Sequence, residues 1–343
     1  MLVQQAQRVV RNILFGQGLP AQEFTVGLRA PQSEVKIWLR GLGEPIDVTG
    51  RCAMACAAPL TICISMDEIA AAAFQKAADL TLEYVTDHES PQVLGRIALK
   101  PSGVVVGMPG VVVLLFEPRW SQNYCLPRLQ LYRQYFLYSY RKSKHAGASD
   151  VRMSFLEEKA AMVMFIRPHP VALGSVQSDS GGNMFTMNIM GSAGRGYFTF
   201  ALKNSRTPAH LVERVGRIAV SNIPFCRGPL AFQMAANHTK ESIDWNELPF
   251  SLARSKTFGF PVPEFATRVR ELQVERVLKI GSHTLFVAAV MDESVCSYEP
   301  ELCVIHGFYQ EWRIRSGIAD PHTSMRADIF NKRGGFVAQT ARK

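Results

Sequence analysis

The sequence predicts a mainly β, α+β protein in two parts: a closed, Greek-key-like β-barrel in the C-terminal half, preceded by an α+β domain. Three observations lead there. From residue 170 onward, short runs of β-branched, aromatic and apolar residues alternate with Gly- and Pro-bearing turns, leaving room for one or two helices. The 343 residues suggest two domains at roughly 150 residues each. Between them Lys142 to Ser149 (KSKHAGAS) is small, polar and basic, the composition of a linker. The expected division is therefore an α+β domain over 1–145, a barrel over 150–315 and a basic tail over 316–343.

Elements in the first part follow from local pattern. Val3, Val9, Val10, Ile13 and Leu14 have helical spacing, ended by Gly16 and Gly18. Glu34 to Leu39 alternates as a strand, and Gly41 to Pro45 is a turn. Ile46 to Met66 reads as two strands, or a strand and a short helix, punctuated by Pro59. The alanine-rich Ile69 to Leu82 is expected to be helical. Val93 to Phe116 forms a strand cluster broken by Pro101, Gly103 and Pro109-Gly110. Leu129 to Tyr140 (LQLYRQYFLYSY) has apolar positions at helical spacing and is read as a helix packed on a core.

In the second part, Phe155 to Phe165 is a helical element leading into Arg167-Pro168. Pro170–Gln177 and Met184–Ile189 are strands around the turn Asp179–Gly182. Ile218–Ile223 is a strand stopped by Pro224, and Phe232–Trp245 is polar and helical. Strands then follow over Glu264–Arg276 and His283–Met291, joined by a hairpin at Gly281, and over Cys303–Trp312.

Composition bounds the function. Hydrophobic residues make up 47 %, enough for full cores. No apolar run reaches the ~18 residues of a membrane span; Val104–Phe116 is interrupted by Gly107, Pro109 and Gly110. The N-terminus has no apolar leader pattern, so a cytoplasmic protein is expected. Cys52, Cys56 and Cys63 lack zinc-site spacing and read as small buried residues, and no metal is expected. The net charge is +9, and residues 313–343 hold seven Lys/Arg against two Asp/Glu, so much of the excess is terminal. It is read as a solvated tail rather than a nucleic-acid surface, and it favours anionic nucleotides.

The chemistry concentrates in Asn183 to Gly216. Tyr197–Leu202 is a buried strand, Lys203-Asn-Ser-Arg-Thr207 a polar loop, and Thr207, Pro208 and Gly216 occupy the N-cap, first-turn and C-cap positions of a short helix. Two cations and two hydroxyls beside a helix N-terminus make an anion cradle, with phosphate the obvious anion. The word GSAGRG is neither a P-loop nor a dinucleotide fingerprint, so no Rossmann unit is expected.

Pro168 to Trp312 resembles the flavin reductase-like FMN-binding split-barrel family, which includes flavoredoxins and the reductases of two-component monooxygenases. The likeness rests on Arg167–Gly174 (RPHPVALG), on Asn183–Asn188 (NMFTMN) with Lys203–Thr207 (KNSRT), and on Gly281–Val290 (GSHTLFVAAV). Ala193-Gly-Arg-Gly196 stands where many members carry an Asp-Pro-Pro turn. The resemblance implies a split barrel, FMN (or FAD) as cofactor, NAD(P)H as co-substrate, a partner oxygenase and a homodimer with flavin at the subunit interface. Asn183, Thr186, Asn188 and the backbone at Met190 and Gly191 are expected along the ring and ribityl chain. Lys203, Ser205, Arg206 and Thr207 are expected at the phosphate. His283 is expected beside the flavin, binding the nicotinamide carboxamide or steering a proton. His306, Tyr309, His169 and His238 are weaker candidates, assigned first to packing and loops.

Three functions compete: NAD(P)H-dependent flavin reduction feeding an oxygenase, a flavin-dependent oxidase or oxygenase whose organic substrate lies between the two domains, and a non-catalytic flavin-, haem- or partner-binding module. A substrate-sized cavity walled by the N-terminal domain would mark the second. A pocket filled by Met187, Met190 and Phe200 would mark the third.

Overall fold

The computed structural model describes residues 23–31, 34–41, 43–74, 79–144, 153–179, 181–318 and 325–326. The helical pattern expected at Val3–Leu14, most of the 142–149 linker and most of the 316–343 tail lie outside them.

After β1 (Glu23–Leu28), the N-terminal half is built from β2 (Val35–Arg40), β3 (Ile46–Asp47), β4 (Cys52–Ala57), β5 (Leu60–Met66), helix α1 (Glu68–Phe74), β6 (Leu80–Thr86), β7 (Val93–Met108) and β8 (Val111–Asn123). Alternation places Val35, Ile37 and Leu39 of β2 in the core. The alanine-rich helix stops at Phe74 and does not run on to Leu82. Leu80, Leu82 and Tyr84 are buried on β6, because apolar residues at alternate positions pack better on a sheet than on a helix there. Glu83 on β6 is held by Arg40 of β2 and Arg96 of β7, both at 2.6 Å, and these cations keep its carboxyl below the usual range against the opposing effect of burial.

Helices α2 (Arg128–Lys144) and α3 (Phe155–Met164) connect the halves. A capping box starts α3: the Ser154 hydroxyl accepts from the Glu157 N–H, and the Glu157 carboxylate accepts from the Ser154 N–H. Its buried face, Ala160, Met162 and Val163, packs on β7 and β8.

The C-terminal half runs β9 (His169–Pro170), β10 (Ala172–Ser178), β11 (Gly181–Met187), β12 (Met190–Gly194), β13 (Tyr197–Lys203), α4 (Thr207–Val215), β14 (Arg217–Asn222), α5 (Gly228–Gln233), the small pair β15 (Leu252–Arg254) and β16 (Pro261–Pro263), β17 (Arg268–Ile280), β18 (His283–Val295) and β19 (Glu301–His306). The sheet curls around Phe200 and Phe286, stacked with ring centroids 4.9 Å apart. The barrel is split rather than closed: β11 and β12 are consecutive in the chain, yet they form the two edges of the sheet.

Two further expectations are corrected. The strand expected over Cys303–Trp312 ends at His306, whose side chain caps helix α6 (Gly307–Arg315) by accepting from the Phe308 N–H at 3.2 Å. Phe232–Trp245 is not one helix; α5 gives way to 3₁₀ turns at Met234–Thr239 and Trp245–Glu247. β1 pairs antiparallel with β19, and β20 (Met325–Arg326) adds to its other side, so residues from both halves share one small sheet.

Each half holds a seven-stranded sheet: β3-β2-β6-β7-β8-β5-β4 in the first and β11-β10-β14-β17-β18-β13-β12 in the second. Numbered by order of appearance, both run second, first, fifth, sixth, seventh, fourth, third, and each has one helix between its fourth and fifth strands. The sheets bury a shared core, with Ala53, Ala55, Cys63, Val113 and Leu115 from one side meeting Ala201, Leu285 and Val287 from the other.

Candidate functional site

The loop after β13 is fixed by Asn204. Its N–H donates to the Ser282 carbonyl at 3.0 Å, its side-chain amide donates to the Gly281 carbonyl at 2.9 Å, and its side-chain oxygen accepts from Thr284 Oγ1 at 2.7 Å. The N-cap of α4 is Arg206, in extended conformation, rather than the expected Thr207. Thr207 and Pro208 are the first two helical residues, and Gly216 closes the helix in the left-handed conformation at φ 70°. The Arg206 side chain makes no capping hydrogen bond. The helix start thus keeps its positive end uncapped by a side chain, with Ser205 exposed and Lys203, Arg206 and Thr207 half-buried around it. This donor set suits a phosphate: amide N–H groups, hydroxyls, an ammonium and a guanidinium, with no carboxylate among residues 203–207.

His283 pairs with Lys203 across β13 and β18. It is buried, and its Nδ1 lies 2.8 Å from Ser282 Oγ, 3.5 Å from the Ala57 N–H and 3.8 Å from Cys56 Sγ. An N–H donor at Ala57 makes Nδ1 an acceptor, so the ring proton of the neutral form sits on Nε2. Burial, and secondarily the Lys203 charge, push its pKa down to about 4. At neutral pH His283 is therefore an uncharged Nε2–H donor and not an acid. The turn before it depends on Gly281, at φ 48°, because a Cβ there would collide with the Ala58 carbonyl and the Pro59 ring.

The remaining ring-edge candidates divide into two groups. Asn183 is fully buried, and its amide donates to the carbonyls of Asn237 (3.0 Å) and Lys240 (2.7 Å). Thr186 donates its hydroxyl to the Ala231 carbonyl, and its own carbonyl lies 2.8 Å from His238 Nε2. Both residues thus secure the 228–240 segment. The His238 pKa is lowered by burial and, after a backbone hydrogen bond that opposes this, by the charge of Arg206, which relates this group to the 203–207 loop. Asn188 is half-buried at the β11–β12 turn. Met190 and Gly191 instead line a cavity of about 590 Å³ that also receives Arg29, Pro31 and Gly50 from the N-terminal half. Arg195, Arg268 and Arg270 of the C-terminal half enter the same cavity. Arg270 lies over the Phe198 ring at 5.3 Å and pairs with Glu293 at 3.1 Å.

The weaker histidines have structural partners. His169 Nε2 lies 3.2 Å from the Met164 carbonyl, and burial lowers its pKa to about 4; His306, the α6 cap, is lowered to about 3 in the same way. Tyr309 donates to Glu34 at 3.1 Å. Cys52 and Cys63 are buried, with thiols pushed up to about 12 and about 11 by desolvation. Sequence reasoning missed the contact of the Cys56–Pro59 turn with His283, since 224 residues or more separate the partners. It also missed the arginine cavity, whose one local signal was the alternation Arg268-Val269-Arg270.

Residues 164–313 match the family model described as "Flavin reductase like domain". Among solved structures, the NADH:FAD oxidoreductase SgcE6 of Streptomyces globisporus C-1027 is similar at 17 % identity and TM-score 0.39, covering 44 % of this chain and 88 % of its own. The styrene monooxygenase flavin reductase of Pseudomonas putida S12 is similar at 20 % identity and TM-score 0.35, covering 43 % and 93 %. BorF, the flavin reductase component of a bacterial two-component tryptophan halogenase, is similar at 19 % identity and TM-score 0.38, covering 43 % and 92 %. No curated protein matches. The C-terminal half of the chain, residues 164–313, is accordingly a flavin reductase-like domain.

Proposed function

We propose that the protein is an NAD(P)H-dependent flavin reductase whose FMN, or FAD, is anchored by the loop Lys203–Thr207, and that it supplies reduced flavin to a partner oxygenase in the cytoplasm. The observation that carries this reading is the α4 N-terminus: a nine-residue helix without a side-chain cap, opening from a loop of basic and hydroxyl residues inside a flavin reductase-like domain. A bound flavin supplies a ring system that accepts a hydride from reduced nicotinamide. Lys203 and Arg206 neutralise its phosphate, Arg206 as a two-pronged donor, and Ser205 and Thr207 add hydroxyl contacts. Asn188 and the backbone at Met190 are assigned to the ring edge, while the missing Cβ of Gly191 admits the Ala53 methyl of the N-terminal half, so that Gly191 shapes the seam. Asn183 and Thr186 act by fixing the 228–240 segment over β11. His283, neutral with its proton on Nε2, donates a hydrogen bond to the nicotinamide carboxamide or the flavin. Hydride transfer needs ring proximity and exclusion of water more than an acid or base, so positioning is the main task of these residues.

The test is the absorbance spectrum of purified protein titrated with FMN and then with NADH or NADPH. Saturable perturbation of the flavin bands, followed by bleaching with either nucleotide, is expected. Protein that leaves the flavin spectrum unchanged would end the reading.

The cavity favours a second reading, a flavin-dependent enzyme with its own polar organic substrate, because the N-terminal half contributes Arg29, Pro31 and Gly50 to walls that also carry Arg195 and the paired Arg268, Arg270, Glu293 and Glu301. It is distinguished by Arg195→Ala. A change in nicotinamide KM alone fits the reductase, whereas unchanged NAD(P)H oxidation points to a substrate of another kind.

A further inference from the structure

The two halves touch through equivalent residues. In the β4–β5 hairpin Ala53 pairs with Cys63; in the β12–β13 hairpin Gly191 pairs with Thr199. Both hairpins bulge at the same place, between Met54 and Cys56 and between Ser192 and Gly194. Across the interface the Ala53 methyl lies 3.0 Å from where Gly191 would carry its Cβ, and Cys63 Sγ lies 3.9 Å from Thr199 Oγ1. Each residue thus meets its own counterpart, as residues on a two-fold axis must. The outer contacts are reciprocal as well. β4 packs on β12, β13 and β18, while β12 packs on β4, β5 and β8. The Gly281 turn sits on Ala58-Pro59, and the Gly110 turn, its counterpart, sits on Arg195.

This symmetry generates two seams, and only one has phosphate chemistry. In the first, β13 leads through Asn204-Ser205-Arg206 into α4, and His283 opens β18. In the second, β5 leads through the single residue Asp67 into the seven-residue α1, and Val111 opens β8 where the first seam has His283. The Asp67 carboxylate accepts from the Ala70 N–H at 2.8 Å, so this helix start is capped by the chain's own anion. Asp67 and Glu68 would repel a second one.

We propose that the chain is its own dimer, with the N-terminal half occupying the isologous face that a second copy would otherwise fill, and that only the Lys203–His283 seam binds flavin, giving one flavin per monomeric chain. This takes the place of the homodimer that the resemblance implies, and its single-site part rests on the flavin reading above.

The test combines mass and stoichiometry on the full chain. Light scattering is expected to give the 38.2 kDa monomer at micromolar concentration, and titration one FMN per chain. The double variant Lys203→Glu/Arg206→Glu is expected to lose all FMN binding while keeping the monomer mass. Twice the monomer mass would overturn self-pairing. Two flavins per chain, or half the sites surviving in the double variant, would overturn the single-seam assignment. If the wild-type chain binds no FMN, the flavin reading and the single-seam part fall together, and the mass alone then supports or overturns self-pairing.

Discussion

The two seams between the halves have the same strand order and opposite chemistry. At the first, a helix start lacks a side-chain cap and is surrounded by Lys203, Ser205 and Arg206; at the second, Asp67 closes the helix start and Glu68 follows it. The difference teaches that one strand order can carry two unlike helix starts, because the connecting residues, 204–206 in one half and Asp67 in the other, are set by local sequence and not by topology. The polar loop is tolerated because it lies at a strand end, where Asn204 satisfies three local groups.

Substitutions at the two seams break or sharpen this comparison. The largest effect is expected at the two turn glycines. Gly281→Val adds a side chain against the Ala58 backbone at a positive φ, and should cost about 3 kcal/mol or more in chemical denaturation. In the equivalent turn of the other half, one position further along, Gly110→Ala meets only the end of the Arg195 side chain and should cost about 1–2 kcal/mol from backbone strain. Equal costs would mean that the Ala58–Pro59 turn yields to an added side chain as easily as the Arg195 side chain does.

The next effect is pH dependence. His283, His169 and His306 are buried and held neutral, with pKa values lowered to about 4, about 4 and about 3. The unfolded chain binds more protons than the folded one below about pH 6.5, so this stability is full above that pH and is lost as pH falls toward 4. The slope should approach about 1.4 kcal/mol per pH unit for each histidine. His283→Gln should flatten the acid limb of a melting-temperature profile; an unchanged limb would count against its burial.

Smaller effects separate binding from folding. Arg206→Ala should weaken FMN binding by roughly tenfold or more with little change in melting temperature. Asp67→Ala should do the reverse, costing about 1 kcal/mol of stability through the lost cap while leaving FMN affinity unchanged. A flavin effect at Asp67 would show that the second seam is not silent.

Much of the C-terminal half was legible beforehand. Tyr197–Leu202, the Gly281 hairpin and the strand from His283 follow from alternation and turn chemistry, and the helix ending at Gly216 follows from its cap. Errors came where short-range pattern was ambiguous. Cys303–Trp312 mixes strand and helix because His306 can cap, and Thr207 looked like an N-cap because hydroxyl residues usually serve there. Within the candidate site, the polar loop 203–207 and the helix that follows it were readable as one contiguous segment. The diversion of Asn183 and Thr186 to the 228–240 segment was not, since their partners lie 45 or more residues away.

Local sequence by itself determined most strands, the turn glycines and the basic loop before Pro208, because each depends on neighbours within a few residues. Only the tertiary structure decided that residues 35–123 repeat the topology of residues 172–295 and pack against them through equivalent strands. Strand order is set by long-range pairing, and counterparts such as Val111 and His283, or Cys63 and Thr199, share a position in the sheet without sharing a side chain.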